Sequence, residues 1–270
     1  RQVSSAASDV YKRQHQDLTK NAEYRLRFAD RAHSALFNNG PLSSTGATAI
    51  WRRRSDEMDD AIVAESARWG DYRRDVQSAG GWQKSNYELY TKDDQYLATQ
   101  EYIIETHLQQ RPAILLNQLR ARNLYPSVAA PVYSQTGNSL TIENPNGAGS
   151  IFYTTDGSDP RDPSASTYSN AVTLTASATY KSRVLKSGVW SALQSADIIT
   201  GTPANATNLV ISELYYNEPG SAEENEFVEL TNISNNEIDL SNLTFSTGLT
   251  YTFPLNTTLS PRGRLTIGTN

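Results

Sequence analysis

Ser150-Ile151-Phe152-Tyr153-Thr154-Thr155-Asp156-Gly157-Ser158-Asp159-Pro160 joins a run of β-branched and aromatic residues to an Asp-Gly pair and a closing Pro. Such a run favours a strand, and Asp-Gly favours a tight turn, because Gly accepts positive φ and Asp hydrogen-bonds nearby backbone. Asp156 and Gly157 are therefore assigned a structural role. Asp156, Asp159 and Asp162 also place three carboxylates within seven residues. They lack the twelve-residue loop pattern and closing Glu of a calcium site, so the turn is the preferred reading and calcium the alternative.

Working outward, further short strands are readable at Ser139-Leu140-Thr141-Ile142, Ala171-Val172-Thr173-Leu174 and Ala178 to Val184. Their spacing predicts a small β-sandwich over residues 127–199. Residues 200–207, Thr-Gly-Thr-Pro-Ala-Asn-Ala-Thr, have linker composition. A second β-unit over 208–270 shows strands at Leu209 to Leu214, Glu226 to Thr231, Asp239-Leu240 and Thr250 to Phe253. About four strands are legible there where an immunoglobulin-like sandwich needs about seven, so this unit is expected to be incomplete.

Upstream of Tyr125-Pro126 the period changes from two to 3.6. Apolar residues from Leu18 to Leu36 recur at helical spacing before Gly40-Pro41. A second helix, capped by Ser43 or Ser44, carries the stripe Ile50/Trp51, Met58, Ile62, Glu65 and Trp69 and stops at Gly70. Trp51 and Trp69 are read as structural anchors facing a helical partner. A third helix is expected from Thr91, with Asp93 and Asp94 in its positive first turn; Pro112 interrupts or restarts it, and Asn123 closes it in the left-handed region. Residues 1–16 show no sustained pattern and are read as a non-native or disordered leader. The string Val3 to Gln14 resembles translated adapter or assembly sequence recurring at the ends of unrelated metagenomic fragments. The fold class expected is multidomain, α then all-β: a helical segment (17–126) followed by two small immunoglobulin-like β-sandwich modules, the second incomplete.

With 270 residues, two or three domains of ordinary size fit. A formal charge of −5, with Arg52-Arg53-Arg54 as the single basic run, speaks against nucleic acid as a partner. No stretch approaches 18 apolar residues, so no transmembrane segment is expected. The absence of Cys removes disulfides, thiolate metal sites and a cysteine nucleophile. The chain starts at Arg1 and stops at Asn270 just after a strand-like run, which predicts a piece of a longer protein.

Three segments carry family resemblances. Glu23 to Arg31, Phe37-Asn38-Asn39-Gly40, Glu65 to Asp71, Gln118 to Ala121 and Leu124-Tyr125-Pro126 together resemble the end of a spore-coat CotH-type kinase region. The resemblance implies an upstream kinase-like domain in the parent chain holding the catalytic and metal-binding carboxylates, so no catalytic, cofactor or metal residue is assigned here. Ile151 to Pro160 and Tyr180-Lys181-Ser182-Arg183 resemble the β-module at the C-terminus of chitobiases and β-hexosaminidases. Val210 to Leu214, Glu226 to Asn232 and Ile238 to Ser241 resemble a lamin-tail domain. These resemblances imply a bacterial protein of the extracellular space or cell envelope.

The candidate sites are few. Tyr168 and Trp190 are candidate glycan or partner contacts in the first β-module. Glu223, Glu224, Glu226 and Glu229 crowd one stretch whose alternation suggests a solvated strand face, and Glu213 with Glu229 would offer a cation two carboxylates across neighbouring strands. His15, His33 and His107 lack metal-ligand spacing and read as helix surface or packing. Glu65, Arg68 and Asp71 read as a helix-end ion network, with a polar patch beside Trp69 that supports a catalytic domain in the parent as the alternative. Asn205, Asn232, Asn242 and Asn256 each head an Asn-x-Ser/Thr triplet, attributed to composition. The function expected is a non-catalytic accessory or adhesion segment of a secreted or cell-surface protein, without cofactor, facing a cell-surface, glycan or protein partner. The alternatives are a fragment of a secreted CotH-type kinase and a glycan-binding module.

Overall fold

The computed structural model describes residues 13–72, 89–216 and 226–268. The chain is helical first and all-β thereafter, and divides into two compact units at residues 127/128. The β region has the arrangement of immunoglobulin-like sandwich modules.

In the helical unit, α1 (Ala22–Leu36) begins where Asn21 Oδ1 accepts the N–H groups of Glu23 and Tyr24 at 2.8 and 3.2 Å. It buries Ala29, His33 and Leu36, one face at a spacing of four and three. Residues 13–18 are also helical, and His15 meets Tyr24 and Phe28. The leader expected over 1–16 otherwise falls on residues 1–12, outside the described residues. α2 (Ser44–Trp69) is capped by Ser43, whose hydroxyl accepts from Gly46 N–H at 3.0 Å.

The anchoring role expected for Trp51 and Trp69 is corrected by α2, which buries none of its residues: Trp69 is 48% and Met58 52% exposed. α2 instead meets the helices after residue 91 through polar bonds, Trp51 Nε1 to Gln100 Oε1 (2.5 Å), Lys92 Nζ to Asp59 Oδ2 (2.6 Å) and Ser55 with Tyr96 (3.0 Å).

The third helical run starts at Thr91, whose hydroxyl accepts from Asp94 N–H. It proceeds through a π-turn (Lys92–Tyr96), α3 (Leu97–Tyr102), a second π-turn (Ile103–His107) and α4 (Leu108–Ala121). The second wide turn lies immediately upstream of Pro112, which lacks the N–H that would bond Leu108; Gln109 Nε2 donates to Ile104 O at 2.9 Å. Asn123, at φ 55°, closes α4: its N–H bonds Arg120 O and that of Leu124 bonds Leu119 O, the paired closure of a left-handed cap.

The first β-module packs two sheets, β1 (Val132–Thr136), β2 (Ser139–Glu143) and β5 (Val172–Thr173) against β3 (Ser150–Thr154), β4 (Ser166–Thr167), β6 (Ala178–Lys186), β7 (Val189–Trp190) and β8 (Gln194–Ile198). Leu140, Ile142, Ile151, Leu174, Tyr180, Val184 and Ile198 fill the space between them. Each such aliphatic side chain contributes roughly 1.5 to 3 kcal/mol by leaving water. Two tyrosine hydroxyls stitch the sheets: Tyr133 on β1 meets Ser182 on β6 at 2.8 Å, and Tyr168 accepts the N–H of Ile142 at 3.1 Å. Burial pushes the Tyr133 hydroxyl far above its ordinary value, against the opposing hydrogen bond with Ser182. β1 and β8 escaped the sequence reading because small or polar residues such as Gln194 and Ala196 take inward positions and mask the alternation.

The second module holds β9 (Thr202–Pro203), β10 (Leu209–Tyr215), β11 (Phe227–Asn232), β12 (Ile238–Asp239), β13 (Thr244–Phe245), β14 (Tyr251–Thr252), β15 (Thr258–Leu259) and β16 (Arg264–Gly268). They form the sheets β10-β11-β16 and β15-β12-β9 and the pair β13-β14. The expected count of about four is corrected: β16 is the strand-like run before Asn270, and β9, β13 and β15, two residues each, are too short to show alternation. The segment read as a linker, 200–207, is also structured. Thr202–Pro203 pairs in parallel with Ile238–Asp239, and Asn205 Oδ1 accepts from Thr207 N–H. Leu230, Ile238, Leu240, Phe253 and Leu259 form the core.

Candidate functional site

Strand alternation places Ile151, Tyr153, Tyr180 and Val184 toward the core and so turns Phe152, Arg183 and Leu185 to the other face of the sheet. Trp190, opposite Leu185, joins them and meets Phe152 edge to face, with ring centroids 5.5 Å apart. This outer face is the candidate site. Both aromatics remain partly exposed.

Beside them Arg183 is fully buried, which requires compensation for its charge. The turn after β3 supplies it. Arg183 Nε and Nη2 donate to Asp159 Oδ1 and Oδ2, both at 2.9 Å, and Nη1 donates to Ser191 O at 2.9 Å. Arg161 holds the same carboxylate with two bonds, at 3.1 and 3.0 Å. Burial alone would raise the Asp159 carboxyl, but the hydrogen bonds from Arg183 and Arg161 outweigh it and hold it well below the usual carboxylate range. Ser191 completes the corner: its hydroxyl accepts Val184 N–H, and its N–H donates to Val184 O.

The turn is a run of three side-chain-capped bends. Asp156 accepts from the N–H and hydroxyl of Ser158, Asp159 from the N–H of Arg161, and Asp162 from the N–H and hydroxyl of Ser164. Those bonds lower the Asp156 and Asp162 carboxyls. Gly157 sits at φ +86°, a conformation that favours glycine, while Lys181 Nζ donates to its carbonyl. The three carboxylates are turned toward their own backbone and toward arginines. Among the described residues no group of three or more His, Asp or Glu converges to hold a metal ion.

The other candidates separate. Tyr168 spends its hydroxyl on Ile142 and packs on the core beside Tyr153, whereas Trp190 pairs with Phe152 on the other face. Glu213 stands opposite Glu229 at a bulge, and Glu229 Oε1 accepts from Ser212 Oγ (2.7 Å) and pairs with the Arg264 guanidinium (Nη1, 3.3 Å). Glu223 and Glu224 lie outside the described residues. His33 is buried, stacked on Phe37 and bonded to the Tyr125 hydroxyl at 2.7 Å; burial pushes that hydroxyl up to about 12. Arg68 lies over the Trp69 ring at 5.1 Å, and Trp69 with Ile62, Tyr72, Tyr90, Tyr96 and Glu65 lines a cavity of about 700 Å³.

The Asn of each of the four triplets makes side-chain hydrogen bonds. Asn232 is fully buried and donates to the carbonyls of Asn236, Leu259 and Ser260; Asn242 donates to Asp197, Asn256 to Ser177 O and Asn205 to Pro203 O. Sequence reasoning passed over Phe152, Arg161 and Arg183 as a site. The available signal was a lone arginine inside the strand Tyr180 to Leu185 with an Asp-rich turn upstream.

No curated protein matches the chain. Two of its segments match family models: residues 128–194 that of the chitobiase/beta-hexosaminidase C-terminal domain, and residues 202–270 that of the lamin tail domain.

Proposed function

We propose that the chain is a non-catalytic accessory and adhesion segment of a secreted or cell-surface protein, in which the β-modules space, attach or bind. The two module matches are compatible with an accessory or binding role, and the chitobiase-type match favours an extracellular setting. Among the described residues no helix is long and apolar enough to cross a membrane. One observation carries the binding part: Phe152 and Trp190 meet on the sheet face away from the core, beside a turn that the Asp159–Arg183 pair makes rigid. A partly exposed aromatic pair on a stiff support suits stacking against a sugar ring or an apolar side chain at small entropic cost.

The test is binding of the full chain to a glycan array and to cell-envelope fractions. Binding that disappears with Trp190→Ala and survives Tyr168→Phe supports the reading. No binding by the unmutated chain, or binding indifferent to Trp190, overturns it.

A second reading has its own support. The apolar side chains that α2 leaves exposed suit a helical segment that completes a larger body, as the end of a CotH-type kinase region would. Recovering the full reading frame and searching upstream of residue 17 for paired metal-binding carboxylates separates the two.

A further inference from the structure

We infer that the first β-module carries a docking surface, formed by Ser177 and Asp197, whose occupant is the second module, so that the two form one rigid body rather than two beads on a linker. This goes beyond the binding role and holds whatever the modules bind.

The central contact is an amide clamp. A carboxamide offers one donor side and one acceptor side, as a peptide group does. Asn256 uses both on one residue of the neighbouring module: its Oδ1 accepts Ser177 N–H at 2.9 Å and its Nδ2 donates to Ser177 O at 2.9 Å. Asn256 thus stands where the backbone of an adjoining strand would stand. Its backbone, at φ 65°, adopts the left-handed conformation that Asn tolerates better than most residues.

Around the clamp the polar groups are shared across the boundary. The buried Ser177 hydroxyl donates across the boundary to Asp239 Oδ2 at 3.1 Å, and is held in place by the N–H of Thr200, which it accepts at 2.9 Å. Asp239, itself buried, also accepts Ser241 N–H on Oδ1 and Ala204 N–H on its carbonyl. At the rim Asn242 Nδ2 donates to Asp197 Oδ2 at 2.8 Å, while Thr179 holds the other oxygen of that carboxylate. The connection supplies no slack, because Thr202–Pro203 is already a strand of the second module. Separating the modules would orphan several buried donors and acceptors together, and unpaired buried polar groups are costly.

The native chain has no Cys, so a pair of labels is introduced without background. Spin labels at the exposed positions Ser169→Cys and Thr247→Cys, on the full chain, are expected to give one narrow distance distribution. Asn256→Gly removes the clamp while keeping the backbone conformation accessible. It is expected to broaden that distribution and to speed amide exchange at Ser177 and Thr200 about tenfold, equivalent to about 1.4 kcal/mol in the opening equilibrium. Val184 and Leu230 should stay protected, showing both cores intact. If Leu230 loses protection, Ser177→Ala decides instead, since the substitution lies in the first module and removes only the bond to Asp239 across the boundary; it should broaden the distribution to a smaller extent. A broad distribution in the chain with native Asn256, or no change with the deciding variant while both cores remain protected, overturns the inference.

Discussion

The two β-modules differ in what their sheets leave uncovered. In the first, two sheets close over a shared core and tyrosine hydroxyls bond across it. In the second, Leu230 and Phe253 are buried, yet β10, the outer strand of its sheet among the described residues, leaves Ile211 60%, Leu214 58% and neighbouring Tyr216 73% exposed. A closed sandwich depends on its interior, whereas an open sheet edge presents unpaired backbone and apolar side chains to other chains. The same kind of substitution should therefore have unequal effects in the two places.

The largest effect is expected at the buried charge. Asp159→Asn leaves Arg183 without its carboxylate and should cost about 3 to 5 kcal/mol, measured by denaturant unfolding. A change under about 1 kcal/mol would mean that Arg183 finds water or another acceptor. The same pair sets an acid limit. Because the folded Asp159 carboxyl lies below its unfolded value near 4, its contribution is complete above about pH 4 and is lost as pH falls through the lower folded value. The Asp159→Asn variant should accordingly lose this part of the acid dependence.

An intermediate effect belongs to the second core. Asn232→Ala removes the donor to three carbonyls and the acceptor for Ser234, for about 1 to 3 kcal/mol. The smallest lies on β10, where Leu214→Ser should change stability by no more than about 0.5 kcal/mol while reducing self-association in sedimentation velocity. A large loss of stability there would show that Leu214 is covered in solution.

Much of the fold was legible because local chemistry agreed with tertiary structure. Ser43, Thr91 and Asn123 cap or close their helices as their side chains dictate, and Asp156-Gly157 turns as its dihedral preferences dictate. Trp69 failed because hydrophobic spacing shows which residues can share a face, not whether anything covers it. The 200–207 segment failed because Thr202–Pro203 gains its order from a distant strand, Ile238–Asp239, and composition carries no record of that pairing. The site was half legible: Trp190 stood out as a large aromatic, while Arg183 gained meaning only when the fold brought Asp159 against it. The Asn triplets show the same limit, since the bonds their Asn side chains make depend on the groups they meet rather than on the triplet.

Native-state amide hydrogen exchange on the full chain tests the contrast between the modules most directly. Ile142 and Val184, inside the closed sandwich, are expected to exchange only through global opening of that module, whereas the outward-facing amides of β10 between Leu209 and Tyr215 are expected to exchange orders of magnitude faster through local opening. Equal protection of β10 and the first core would contradict the account, because it would require a cover over the edge that these residues present to solvent.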